Sequence, residues 1–176
     1  MPICIPFYRI FVKGYFALFY WFFFTVWLYF PILSVHNTVY MDDCIFCRIA
    51  RKELPAHIVF ENEHVVAFLD IQPSAKGHTL VIPRAHSASI LEAECDDMRE
   101  VCKVVQHITP AILSSLGAQG FNLTVNTGAV AGQVIFHTHW HILPRFEGDG
   151  KKMWPHTAYA PGEIEKIAEG IRSHLG

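Results

Sequence analysis

The chain has 176 residues, sized for one ordinary domain and a short appendage, and a formal net charge of −2. That balance leaves no electrostatic footprint for nucleic acid or for an anionic membrane surface. Charged residues make up only 17% and mean hydropathy is +0.26, an apolar average that hides two unlike pieces.

Fifteen of the 24 aromatic residues fall in the first 40 positions, which contain no Asp or Glu and only Arg9 and Lys13 as cations. The 22 residues from Gly14 to Val35 carry no charge. As a helix they would be about 33 Å long, enough for a hydrocarbon core of about 30 Å. Two features oppose a membrane span. Arg9 and Lys13 would keep the N-terminus in the cytoplasm and export the rest. Trp21-Phe22-Phe23-Phe24 also sits mid-span, whereas aromatic residues concentrate at membrane interfaces. The alternatives are a membrane anchor or upstream sequence ahead of a true start at Met41. Residues 41–176 are read as the domain, and a membrane is a partner only if the first segment is genuine.

From Met41 the elements follow in order. His57–Glu61 and His64–Asp70 are β-rich runs split by Asn62-Glu63, a hairpin signature. Gly77–Ile82 is a third strand, closed by Pro83. Between Glu92 and Leu116, apolar residues Met98, Val101, Val105, Ile108, Ile112 and Leu116 recur at helical spacing, with Pro110 expected to kink or split the helix. Phe121–Asn126 is a fourth strand, residues 127–132 a flexible loop, and Val134–Leu143 a fifth strand. Ile164, Ile167, Ile171 and Leu175 mark a closing amphipathic helix. Hairpin strands beside a separate long helix predict an α+β fold with a five-stranded antiparallel sheet.

The chemistry-bearing residues cluster. Five cysteines are too few, and odd in number, for a disulfide scaffold, which points to a reducing, cytoplasmic setting. Cys44-x-x-Cys47 then reads as half a metal site or a redox pair. His137, His139 and His141 alternate along the fifth strand and so share one face. Alternate Cβ atoms lie roughly 7 Å apart and the outer two roughly 13 Å apart, too far for one ion on a straight strand. A division of labour fits better, with one nucleophile and flanking groups serving other ends.

His137-Thr-His-Trp-His-Ile-Leu143 resembles the motif of the histidine triad (HIT) superfamily. The resemblance extends, in order, through residues 43–49, 51–55 and 68–73, through Gly77–His86, and through Asn126-x-Gly128-x-x-Ala-Gly-Gln133. It implies a HIT-like fold and cleavage at the α-phosphorus of adenosine phosphoramidates, acyl-adenylates or dinucleoside polyphosphates. The expected intermediate is a nucleotidyl-histidine.

Residue by residue, the resemblance assigns catalysis to His139 as nucleophile, with His141 and His78 on the phosphate. It assigns purine nucleotide binding to Phe46, Phe68, Asp70, Ile71, Asn126, Gly132, Gln133 and Val134. Val134 departs from relatives that carry Ser or Thr there, leaving the preferred leaving group open. Cys44, Cys47, His86 and His137 resemble the structural zinc site of a mostly bacterial subset, and a homodimer across the long helix and an edge strand is expected. Two other classes stay open: a nucleotide-binding regulator with vestigial catalysis, and a zinc hydrolase activating water.

Overall fold

The computed structural model describes residues 41–152 and 154–175. The aromatic segment 1–40, with its two sequence readings, lies outside the described residues. The chain divides after Phe146 into two compact units. Among the described residues no helix is long and apolar enough to cross a membrane.

The first unit is an α+β sandwich around a five-stranded antiparallel sheet. Its strands are β1 (Ile58–Glu61), β2 (Val65–Leu69), β3 (Thr79–Pro83), β4 (Gly120–Val125) and β5 (Trp140–Arg145), in spatial order β1-β2-β3-β5-β4. The β1–β2 turn forms because the Asn62 side-chain carbonyl accepts the amides of His64 and Val65 at 2.9 and 2.7 Å. An Asx turn of this kind tightens a hairpin without glycine.

Alternation along the strands sorts side chains between two layers. Val65 and Ala67 of β2, Val81 of β3 and Ile142 of β5 face a long helix, α2 (Cys95–Leu116). Its buried stripe, Val101, Val104, Val105 and Ile108, packs against them. The intervening residues Val66, Phe68, Leu80 and Ile82 face the other way, onto Phe46, Ile49 and Ala50 of a short helix, α1 (Ile45–Ala50). Six residues are too few to show a 3.6-residue period, so this helix leaves no signal in the sequence.

Three expectations are corrected. The long helix begins at Cys95 rather than Glu92, because the preceding residues form a turn in which the Glu92 amide reaches the Ser89 carbonyl at 3.1 Å. Pro110 does not split it. Pro110 is exposed while the stripe beside it is buried, so the missing hydrogen bond is outweighed by apolar burial. The fifth strand begins at Trp140 rather than Val134, since Ile135, Phe136 and His137 are bends. Its neighbour β3 ends at Pro83, which has no amide to donate, and Thr138 instead donates to the Ser87 carbonyl at 2.8 Å.

The second unit runs from Glu147 and carries a helix, α3 (Glu163–Ser173), on which Ile164, Ile167 and Ile171 line one stripe. Leu175 lies beyond its end.

Gly77, at the entry to β3, has φ +79°, and a Cβ there would stand 2.2 Å from Leu116 Cδ1. Substituting Gly77→Ala should cost about 1–2 kcal/mol, mostly through backbone strain in the left-handed region. Urea unfolding checks this. A second substitution, Leu116→Ala, should not restore the loss; full recovery would show that side-chain crowding was the cause.

Candidate active site and metal-ligand cluster

The site lies on the α1 side of the sheet. His141 pairs across from Leu80 on β3, and His78 lies two residues before Leu80, so both share its face. His139 stands immediately ahead of β5, its ring 4.9 Å from that of His141. Phe46 of α1 meets the His139 ring edge-on at 5.2 Å and Phe68 at 5.5 Å. Phe46 and Phe68 are themselves core residues, 7% and 4% exposed, so they form the floor beneath the histidines.

His139 is 6% exposed, and its Nδ1 donates to the carbonyl of His137 at 2.6 Å. A carbonyl can only accept, so the proton sits on Nδ1 and Nε2 keeps its lone pair. Burial pushes the His139 pKa below the ordinary value, against opposing contributions from that hydrogen bond and from Asp70. The ring is therefore a neutral imidazole with one free basic nitrogen, the form a nucleophile needs.

His137 is fully buried and turns the other way. Its Nε2 donates to the Pro83 carbonyl at 2.9 Å, which leaves Nδ1 bare. That atom lies 3.5 Å from Cys44 Sγ, 3.6 Å from Cys47 Sγ and 3.3 Å from His86 Nδ1, and Cys47 Sγ is 3.4 Å from His86 Nδ1. A regular tetrahedron with bonds of about 2.3 Å to sulfur and about 2.05 Å to nitrogen has edges of roughly 3.3 Å (N–N) and roughly 3.5 Å (S–N). The four side chains thus meet the dimensions of a tetrahedral divalent ion such as zinc. Burial, reinforced by neighbouring Cys44, pushes the Cys47 thiol up to about 11, so a cation at this point would make the thiolate favourable.

A second group, Asp70, His78 and His141, also brings three possible ligands together. Its contacts differ in kind. Asp70 Oδ2 sits 3.2 Å from His78 Nδ1, while His78 Nε2 sits 2.9 Å from His141 Nδ1. The carboxylate and the second imidazole therefore lie at opposite edges of one ring, an open line rather than a convergent cage, and the His78 Nδ1 hydrogen bond comes from the Ser74 amide at 3.2 Å.

The remaining predicted residues ring this centre. Residues 127–132, expected to be flexible, contain a short 3₁₀ turn (Ala129–Ala131) held by Gln133. The Gln133 side chain accepts the Gly128 amide at 2.8 Å and donates to the Ala88 carbonyl at 2.6 Å. Gly132 has φ +86°, and its carbonyl accepts from Asn126 Nδ2 at 3.4 Å. Ile71 and Val134 are 84% and 81% exposed. Sequence reasoning missed the Ser74 amide, 3.2 Å from His78 Nδ1, and the Pro83 carbonyl, because backbone groups carry no residue signature.

A buried sheet end thus presents one neutral histidine beside a histidine pair, with a four-ligand cluster behind it. That combination defines a class of α+β proteins built around a run of alternating histidines at a sheet end. The family model described as HIT domain matches residues 51–148, and the chain belongs to the HIT family. It is 37% identical over 146 residues to an adenylylsulfatase from Arabidopsis thaliana, covering 81% of this chain and 74% of the relative. It is 36% identical over 134 residues to an adenosine 5'-monophosphoramidase from Schizosaccharomyces pombe, covering 75% and 98%. Among solved structures, a Zn-bound histidine triad family protein from Mycobacterium smegmatis aligns with a TM-score of 0.60 and 30% identity, over 74% of this chain and 96% of that one.

Burial also holds His141 far down, at about 4, with further lowering from His139 and His78 and a small opposing effect of Asp70. A histidine whose folded pKa lies below its unfolded value of about 6.5 contributes stability above that value and loses it as pH falls toward 4. Urea midpoints should therefore drop between pH 7 and pH 5, and drop less in His141→Gln. An equal drop in the two proteins would show that His141 is not part of the cause.

Proposed function

We propose that this protein cleaves nucleotides at the α-phosphorus, with His139 Nε2 as nucleophile. The observation that carries the reading is the 2.6 Å bond from His139 Nδ1 to the His137 carbonyl, which fixes the reactive tautomer. In the first half-reaction Nε2 bonds to phosphorus as the leaving group departs. In the second, water displaces the histidine and releases the nucleoside monophosphate. Phosphoramidates and adenylyl sulfates are the leading substrate classes, because the chain resembles a monophosphoramidase and an adenylylsulfatase at similar identity. Dinucleoside polyphosphates and acyl-adenylates share the same α-phosphorus and remain in scope.

His141 and His78 bind and neutralise the phosphate. Asp70 takes the ribose hydroxyls, and Ile71 covers the base above the floor made by Phe46 and Phe68. Asn126, Gly132 and Gln133 line the phosphate and leaving-group side. Val134 offers no hydroxyl there, so leaving groups that need little assistance suit this chain best. Full-length protein with His139→Ala should lose at least about 1000-fold in turnover of adenosine phosphoramidate and of diadenosine tetraphosphate. Retained activity would refute the nucleophile.

The same reading places a zinc ion among Cys44, Cys47, His86 and His137, supported by the tetrahedral edge lengths and by the Zn-bound relative. Zinc held by these four side chains would have a complete protein shell, would supply no reactive water, and would tie α1 to the segment that carries His139. A homodimer is supported by β4 being an edge strand with Phe121 and Leu123 exposed. Native mass spectrometry should find twice the chain mass with one zinc per chain. Cys47→Ser should lose the zinc and lower the melting temperature by about 5 °C or more. A zinc-free wild-type protein would sink the assignment. Turnover that survives chelation in a still-folded protein would exclude zinc as the catalyst.

A further inference from the structure

The peptide unit between His137 and Thr138 is held at both ends. On one side its carbonyl accepts the His139 Nδ1 proton at 2.6 Å. On the other its N–H donates to the Ser87 carbonyl at 2.8 Å. The unit is planar and trans, so these two groups point in opposite directions, and turning one turns the other. The nitrogen that His139 keeps free therefore depends on how firmly Ser87 grips Thr138.

Two hydroxyls reinforce that grip. Thr138 Oγ1 donates to the same Ser87 carbonyl at 3.2 Å and lies 2.8 Å from Ser87 Oγ. The carbonyl has two lone pairs, one for the Thr138 amide and one for its hydroxyl. With the Thr138 proton committed there, the Ser87 hydroxyl donates to Thr138 Oγ1, and each hydroxyl proton has an acceptor. Thr138 is buried, so its oxygen would be costly without these partners. Packing alone would be served by valine. The residues either side of Ser87 hold other points of the same segment. His86 Nδ1 lies 3.3 Å from His137 Nδ1, and the Ala88 carbonyl accepts from Gln133 Nε2 at 2.6 Å. Residues 86–88 thus lie along residues 133–138, with the middle one on the peptide that orients His139.

We propose that Ser87 and Thr138 are positioning residues for the nucleophile: their paired hydroxyls fix the 137–138 peptide plane so that the His137 carbonyl selects the Nδ1–H tautomer of His139. This rests on the nucleophile reading above. Both residues act through the His137 carbonyl rather than on the substrate. Without the Thr138 hydroxyl the amide bond to Ser87 stays, but one of the two contacts that set the plane is gone. The plane can then rotate, the bond to His139 Nδ1 weakens, and part of the His139 population carries its proton on Nε2. That form has no lone pair to offer phosphorus.

Thr138→Val keeps the branched shape and removes the hydroxyl. ¹⁵N spectra of the histidines should show His139 as Nδ1–H in wild type and gain an Nε2–H population in the variant. In rapid quench of full-length protein with adenosine phosphoramidate, formation of the adduct at position 139 should slow at least roughly tenfold. The Kd for AMP should hold at its wild-type value, and Thr138→Ser should restore both tautomer and rate. An Nδ1–H tautomer alone in Thr138→Val, or adduct formation at the wild-type rate, would overturn the proposal and leave the hydroxyl pair a structural clip. So would a loss that appears in Kd instead, or a Thr138→Ser variant as slow as Thr138→Val. Wild-type turnover with no adduct would overturn the nucleophile reading, and this proposal with it. If Thr138→Val does not fold, Ser87→Ala takes its place. An Nε2–H population with slower adduct formation then supports the proposal, and wild-type behaviour overturns it.

Discussion

One residue, His137, holds the site together by facing two ways at once. Its side chain donates to the Pro83 carbonyl and turns a bare Nδ1 toward Cys44, Cys47 and His86, while its own carbonyl fixes the Nδ1 proton of His139. The cluster and the His139 imidazole are thereby linked through two peptide units. A displacement of His137 changes which nitrogen of His139 is free, so the geometry of a structural corner becomes a chemical property of its neighbour.

That corner exists because the sheet stops short. β3 terminates at Pro83 and the following chain captures Thr138 through Ser87, by backbone and by side chain at 2.8 Å. The segment ahead of β5 is therefore free of the ladder and can bend. On a straight strand, rings at positions 137 and 139 would have to point alike; with bends at 135–137 one ring enters the metal-ligand group and the other stands beside His141.

The two histidine-rich groups differ in geometry and hence in chemistry. Four atoms converge near the edge lengths of a tetrahedron in one, with two thiols to supply charge. In the other the polar atoms string out along a line from Asp70 past His78 to His141. Phe46, backed by Phe68, meets the rings of His137 and His139 at 5.9 and 5.2 Å, and this apolar floor helps keep both imidazoles neutral.

Much of this was legible from residues alone. Five strands in hairpin order, the long helix and the α+β class follow from periodicity and from turn chemistry at Asn62-Glu63 and Pro83, all of them local signals. The histidine motif and its neighbours located the candidate residues and named the family. Short α1 was invisible because one and a half turns carry no period, and the true start of β5 was hidden because the H-x-H-x-H alternation mimics a strand through bends. Tautomers, too, were beyond the sequence. Which nitrogen of His139, His137 or His78 carries a proton depends on carbonyls and an amide that only folding brings within hydrogen-bonding distance. Residue types and their order along the chain determined what chemistry was available; tertiary structure decided which atoms face each other, because hydrogen-bond direction depends on contacts made in space and not on spacing along the chain.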